Sequence, residues 1–178
     1  MDTYQPLLDE FLNHLQHSKR YSTHTLKAYQ RDLARFLAHL TIPCTHASVK
    51  EVQNFVNSLH RKQLTAKSIQ RNLSAIRSFY DHLLKRQLIS VNPARLVSAP
   101  KAARKLPQVL DPDQTSQLLD FADVRDADAI CDRAILELFY GSGLRLSDVV
   151  GLRINDVDLA QGFVNVFGKG NKRRLVPL

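Results

Sequence analysis

Two short stretches hold the residues best suited to chemistry. In Tyr140-Gly-Ser-Gly-Leu-Arg-Leu-Ser-Asp-Val-Val-Gly-Leu152, an arginine stands two residues after a Gly-Ser-Gly turn and just before a helix-like run. Glycines permit a sharp corner and expose backbone amides, and the start of the following helix favours anions. An arginine forking from such a corner can hold a phosphate through two parallel hydrogen bonds. Arg145 is therefore a candidate phosphate ligand. A purely structural reading stands beside it, in which Arg145 pairs with Asp148 or a backbone carbonyl.

The second stretch is Gly168-Lys-Gly-Asn-Lys-Arg-Arg-Leu-Val-Pro-Leu178. Lys169, Lys172 and Arg173 gather around a glycine turn. Lys169 is a candidate for chemistry or a solvated turn residue. Neither glycine motif is a P-loop, because the spacing before a Lys-Ser/Thr pair is absent. Nucleotide hydrolysis is a weak reading of this chain.

The elements that must position these residues follow from pattern. Gly162–Phe167 alternates in strand fashion, and "RRLVPL" reads as a second strand, so Lys169 sits at the tip of a β-hairpin. Asp111-Pro112 is a helix-start signal, and that helix runs to about Ala122. A second helix near 126–140 carries Ala129, Ile130, Ala134, Leu136, Leu138 and Phe139. It is expected to be mostly buried and to deliver the chain to the corner, with Tyr140 packed ahead of the turn. A short helix follows from about Ser147 to Leu152. The seven aspartates between residues 111 and 132 read as helix starts and solvated surface.

The first half of the chain reads as helix alone. Ser48-Val-Lys-Glu51 has capping-box spacing, and Thr65 can cap the run that follows. Helices are predicted near 3–17, 22–40, 48–60 and 66–86, and four short helices suggest a compact bundle. At about 100° per residue, Ile69, Leu73, Ile76, Tyr80 and Leu83 share one stripe of the last helix. Lys67, Arg71, Ser74 and Ser78 share the opposite stripe, which has no acid. On the helix near 22–40, His24, Lys27, Arg31 and Arg35 gather away from the apolar stripe. Between bundle and second part, Asn92–Pro107 holds three prolines and no sustained period, and reads as an extended basic linker.

Charge separates the two parts. The 178 residues carry net charge +8, with pI near 9.7. Residues 1–106 hold 17 Lys+Arg against 6 Asp+Glu, and residues 107–178 hold 8 against 11. The bundle is therefore +11 and the second part −3. Short hydroxyls beside arginines let a helix approach a phosphate backbone, so the bundle is expected to bind DNA. Cys44 and Cys131 match no metal spacing and are expected to be reduced thiols in a cytoplasmic protein. The residues "MDTYQPLLDE" hold acids where a signal peptide needs bases, and no apolar run approaches membrane-spanning length, so no membrane association is expected.

The string "YGSGLRLSDVVGL", the spacing from Arg145 to Lys169, and "GKGNKRRLVPL" together resemble the tyrosine recombinase (phage integrase) family. The linker "NPARLVSAPKAARKLP" and the helix "SIQRNLSAIRSFYDHLL" resemble its Xer branch. The resemblance covers essentially the whole chain. It implies a mainly α fold: a four-helix SAM-like core-binding domain over 1–88, a linker over 89–107, and the start of an α+β catalytic domain with a β-hairpin over 108–178.

The resemblance also implies chemistry. Such enzymes cut one DNA strand at a time through a 3′-phosphotyrosyl intermediate, without metal, nucleotide or other cofactor. By matched position, Arg145 is a catalytic arginine that stabilises the pentacoordinate phosphate, Lys169 is the general acid for the leaving 5′-oxygen, and Asp148 supports the corner. Candidate DNA contacts are Thr25, Lys27, Arg31, Lys67, Ser68, Arg71, Ser74 and Arg77 in the bundle, with Lys172 and Arg173 on the hairpin. The Xer branch implies chromosome-dimer resolution at a double-stranded recombination site. Its implied partners are a related XerD-like recombinase in a heterotetramer and an FtsK-like DNA translocase. The family's His-x-x-Arg pair and tyrosine nucleophile have no counterpart after Lys169, since the histidines end at His82 and the tyrosines at Tyr140. The chain is therefore expected to be cut short within the catalytic domain, and to bind DNA without cleaving it. The alternatives are a non-catalytic integrase-like DNA-binding protein and a phage or plasmid integrase fragment.

Overall fold

The computed structural model describes residues 4–101, 106, 109–120, 126–168 and 172–178. The chain divides into two compact units, Met1–Lys105 and Leu106–Leu178.

The first unit is a bundle of α1 (Gln5–His17), α2 (Thr23–Leu37), α3 (Val49–Arg61) and α4 (Ala66–Lys85). Three of the four starts are fixed by hydroxyl side chains. Ser22 Oγ accepts from the Thr25 amide, and Thr65 Oγ1 accepts from the Ser68 amide. At Ser48 the box is reciprocal, with its amide donating to Glu51 Oε2 at 2.8 Å. The apolar stripes meet in one core of Leu8, Phe11, Leu15, Leu33, Phe36, Val52, Phe55, Leu59, Ile69, Leu73, Ile76, Phe79 and Leu83, all buried. Phe36 packs edge-on against both Phe55 and Tyr80. Tyr80 is wholly buried, and its hydroxyl donates to the Cys44 carbonyl at 3.0 Å. Burial pushes the phenol pKa far up, so this donor stays protonated.

Residues 92–100, read from the sequence as part of a linker, lie along α4 within this unit. Ala94 and Val97 are buried, and Gln70 Nε2 donates to the Pro100 carbonyl at 2.8 Å. Arg77 clamps the strap, donating from Nε to the Ala94 carbonyl at 3.0 Å and from Nη2 to the Val97 carbonyl at 2.5 Å. Asn92 Nδ2 donates to Asp81 Oδ1 at 2.9 Å, and Arg95 pairs with the same oxygen at 2.8 Å. Prolines and the lack of a period argued against helix there. They carried no information about single side chains that dock on a neighbour.

The second unit begins with α5 (Pro112–Asp120), started by the Asp111 carboxylate accepting from the Gln114 amide at 2.8 Å. Next come α6 (Ala127–Ser142) and α7 (Leu146–Val150), then an antiparallel sheet of β1 (Val157–Asp158), β2 (Phe163–Gly168) and β3 (Lys172–Pro177) in the order β1-β2-β3. The hairpin register runs from Phe163 opposite Pro177 to Gly168 opposite Lys172. The sequence reading anticipated β2 and β3 but not the two-residue β1. The buried core here is small: Leu144, Val164 and Val166, with Leu138, Val149, Leu152, Val157 and Val176 packed around them.

Two expectations are corrected in this unit. The helix expected to be mostly buried, α6, has no buried residue, and Ile130 is 49% exposed. Tyr140, expected as a packing residue, is 66% exposed. Apolar composition marks what a helix could bury and says nothing of which element covers it. Among the described residues no helix is long and apolar enough to cross a membrane.

Two outcomes follow for the bundle. Arg77→Ala should leave helix content intact but release the strap, with a loss of about 2 kcal/mol for two charge-assisted bonds; limited proteolysis should then cut within 92–100 at a higher rate. The second outcome concerns pH. His82 stacks near His14 at 4.9 Å between ring centres and lies 3.4 Å from Glu10, which also pairs with Arg86. Burial first, then Lys85, lowers the His82 pKa; burial, then His82, Lys19 and Lys85, lowers that of His14. The unfolded chain takes up these protons near pH 6.5 and the folded chain resists them, so this stability is present above that pH and is lost as pH falls below it. Thermal melts of His82→Gln should lose part of that acid sensitivity.

Candidate active site and nucleic-acid interface

The corner in the second unit is built by a glycine and an aspartate. α6 ends where Gly143 adopts φ 58° and ψ 31°, a left-handed conformation that side chains with a Cβ rarely adopt. The next two residues diverge: Leu144 turns into the core, and Arg145 is exposed at the start of α7. The Arg145 amide donates to Asp148 Oδ2 at 3.0 Å. Asp148 is buried, with its side chain 3% exposed, and the same oxygen accepts from Arg174 Nη2. The carboxylate therefore binds the backbone of Arg145 and the guanidinium of another residue. Among the described residues, the contact between Arg145 and Asp148 thus runs through the Arg145 backbone amide, and the Arg145 residue is exposed.

Arg174 was not singled out in the sequence. It reads there as one more cation in "NKRR". Strand alternation holds the signal, because Arg173 and Arg174 must face opposite sides. Arg174 lies across from Val166, on the face that holds the buried valines, and so reaches Asp148. Its Nε is buried and has no hydrogen-bond partner among the described residues. Arg173 lies opposite Phe167 on the other face, with its guanidinium 5.1 Å above the phenyl ring. Lys172 pairs through its backbone with Gly168 at the end of the hairpin. Lys169 lies outside the described residues. The Arg174–Asp148 pair thus ties β3, one arm of the hairpin, to the Arg145 corner.

The bundle holds the other candidate contacts. Lys67 and Lys27 are exposed on α4 and α2. Arg31 is exposed and folds back, donating from Nε to the Lys27 carbonyl at 3.3 Å. Thr25 and Ser68 belong to the helix starts, each amide held by its cap. Ser74 Oγ donates to the Gln70 carbonyl at 2.9 Å. Arg71 is not a free cation. Its Nε and Nη2 donate to Asp32 Oδ2 at 2.7 Å and Oδ1 at 3.2 Å, and the Asp32 side chain is 2% exposed. The hydrogen bond to Asp32 pushes the Arg71 pKa up. Arg77, expected among the contacts, is committed to the strap carbonyls. The acid-free stripe on α4 therefore meets an acid supplied by α2.

Removing Asp148 should unlock the corner. Asp148→Ala leaves a half-buried guanidinium and a backbone amide without their shared acceptor. It should cost the second unit about 3 kcal/mol, as for breaking one partner of a buried pair. Hydrogen exchange should report faster exchange at the Arg145 amide, with α1–α4 unchanged.

Comparison with known proteins places these features. The phage integrase N-terminal SAM-like domain matches residues 8–87, and the phage integrase family domain matches residues 108–178. The chain is 47% identical over 186 residues to a tyrosine recombinase XerC of Xanthomonas axonopodis pv. citri (strain 306), covering 96% of this chain and 60% of the relative. It is 45% identical over 175 residues to the tyrosine recombinase XerC of Azotobacter vinelandii, covering 96% of this chain and 58% of the relative. The chain thus spans a little over half the length of these relatives. The fold is shared with a lambda integrase tetramer bound to a Holliday junction, at TM-score 0.77 and 19% identity over 99% of this chain and 51% of that one. It is shared also with the Tn1549 transposon integrase in complex with circular intermediate DNA, at TM-score 0.72 and 18% identity over 97% of this chain and 60% of that one. With a mainly α fold, a SAM-like bundle and both integrase domains matched in order along it, the chain belongs to the phage integrase, or tyrosine recombinase, family, and is XerC-like within it.

Proposed function

We propose that these 178 residues are the DNA-binding domain and the arginine–lysine part of the active site of a Xer-type site-specific recombinase. The observation that carries this is the Arg145 corner: an exposed guanidinium on a backbone fixed by Gly143 and Asp148, in a chain 47% identical to XerC recombinases. In the reaction, a tyrosine hydroxyl attacks the scissile phosphate and forms a 3′-phosphotyrosyl bond, while the bond to the 5′-oxygen breaks. Arg145 donates to the non-bridging oxygens, whose charge grows in the pentacoordinate state. A donor already held in place needs little reorganisation at that moment. Lys169 gives its proton to the departing 5′-oxygen as general acid. Asp148 acts through the corner, and Arg174 through Asp148, so both are positioning residues.

The bundle grips double-stranded DNA through the α2 and α4 faces, with Thr25, Lys27, Arg31, Lys67, Ser68, Arg71 and Ser74 toward the duplex and Lys172 and Arg173 contributing from the hairpin. Its +11 charge supports this reading. The whole recombinase, working in the cytoplasm, resolves chromosome dimers in a heterotetramer with a XerD-like recombinase, under an FtsK-like translocase. These 178 residues hold no tyrosine after Tyr140 and no histidine after His82, so by themselves they bind DNA without a covalent step.

The test is binding to a duplex carrying a Xer-type half-site and to a scrambled duplex, across a salt series. A steep fall of affinity with salt is expected, because each neutralised phosphate releases counterions, with a log–log slope of about −0.9 per contact. Arg145→Ala should leave duplex affinity within about twofold, since the bundle supplies the phosphate contacts. Salt-independent binding, or a phosphotyrosyl adduct on denaturing gels, would contradict the reading.

A further inference from the structure

The Asp32–Arg71 pair is out of keeping with its surroundings. A face that only had to attract phosphates would gain by leaving every cation unpaired. Here the bundle places a carboxylate, 2% exposed, against one of its central arginines. Burying an ion of this kind is costly unless its partner is well aligned. The alignment is good, with Nε and Nη2 donating to the two oxygens at 2.7 and 3.2 Å. The Arg71 side chain remains 47% exposed.

A guanidinium has five N–H donors in a rigid plane. Asp32 takes one two-donor edge, formed by Nε and Nη2. A second complete edge remains, formed by Nη1 and the other hydrogen of Nη2. That edge matches the O6 and N7 acceptors of guanine in the major groove. Its neighbours along α4, Ser68 and Ser74, are short enough to let the helix come close. The pair as a whole is neutral, so it releases few counterions on binding. Exposed Lys27 and Lys67 are left to supply the phosphate attraction.

We propose that Asp32 is a positioning residue that makes Arg71 a directional reader of a guanine edge in duplex DNA, rather than one more cation on the phosphate backbone. This rests on the DNA-binding reading above. It assigns Arg71 to sequence specificity, and Lys27 and Lys67 to salt-dependent affinity. Two substitutions separate these roles. Arg71→Lys keeps the charge and can still reach Asp32, but has no second edge. Asp32→Asn frees the guanidinium to rotate and raises the net charge by one.

The experiment is selection of preferred sequences from a randomised duplex pool by the wild-type chain and by both variants, with thermal melts alongside. The wild type should enrich guanine at one position. Arg71→Lys should lose that preference by roughly tenfold, keeping the rest of the motif and the salt slope. Asp32→Asn should lose the same preference while binding random duplex more tightly, with a salt slope steeper by about one. A duplex of the selected sequence with 7-deazaguanine at that position should bind the wild type roughly tenfold more weakly, which needs no protein variant. The same guanine preference in Arg71→Lys, or undiminished binding to the 7-deazaguanine duplex, would overturn the proposal and leave DNA binding standing. A wild-type chain that retains no duplex at any salt would overturn both.

Discussion

Helix α4 is contacted from several sides, and the first unit is arranged around it. Over 20 residues it turns Ile69, Leu73, Ile76, Phe79, Tyr80 and Leu83 into the core. Packing of that stripe against α1, α2 and α3 supplies the hydrophobic stabilisation of the bundle. Part of its polar circumference is taken as well. Asp32 of α2 takes Arg71, and the strap from Asn92 to Pro100 takes Gln70 and Arg77. The strap can follow α4 because Ala94 and Val97 find apolar ground and Arg77 satisfies two carbonyls that would otherwise lose water without replacement. The acid-free stripe of α4 faces outward only where neither neighbour reaches.

The same device recurs in the second unit on a smaller scale. A buried carboxylate, Asp148, is shared between a backbone amide and a guanidinium from a distant strand. In both places an aspartate holds a guanidinium, and at the corner a backbone amide as well. For a protein that must meet a polyanion, this is a sensible use of acidic residues: they are withdrawn from the surface, where they would repel DNA, and set behind the cations they orient. The stabilisation from such pairs is modest and depends on alignment. Their larger effect is on direction, which attraction alone does not provide.

Local rules made most of the elements legible. Ser48, Thr65 and Asp111 each announce a helix start, and each does so in the structure. The glycine corner and the alternation in β2 were equally plain, because each depends on a few neighbouring residues. What could not be read was partnership across distance. Asp32 and Arg71 are 39 positions apart, and Asp148 and Arg174 are 26 apart. Nothing in either neighbourhood marks the other. For the same reason the wheel placed Arg71 on an acid-free stripe, when the acid came from another helix. Nor did its neighbours show that Arg77, a candidate DNA contact, bonds the carbonyls of a proline-rich strap with no periodicity. Burial of α6 was overestimated because its apolar residues have no covering layer among the described residues. The chemistry expected of Arg145 rests on resemblance, and the structure adds the fixed backbone from which that side chain projects.

The most direct test of the account is to map the duplex onto the isotopically labelled chain by amide and guanidinium NMR shifts. The account predicts that titration with duplex moves the Thr25 and Ser68 amides and the Arg71 Nε signal, and leaves the outer faces of α1 and α3 in place. Shifts confined to α1 and α3, with Arg71 Nε unmoved, would contradict it.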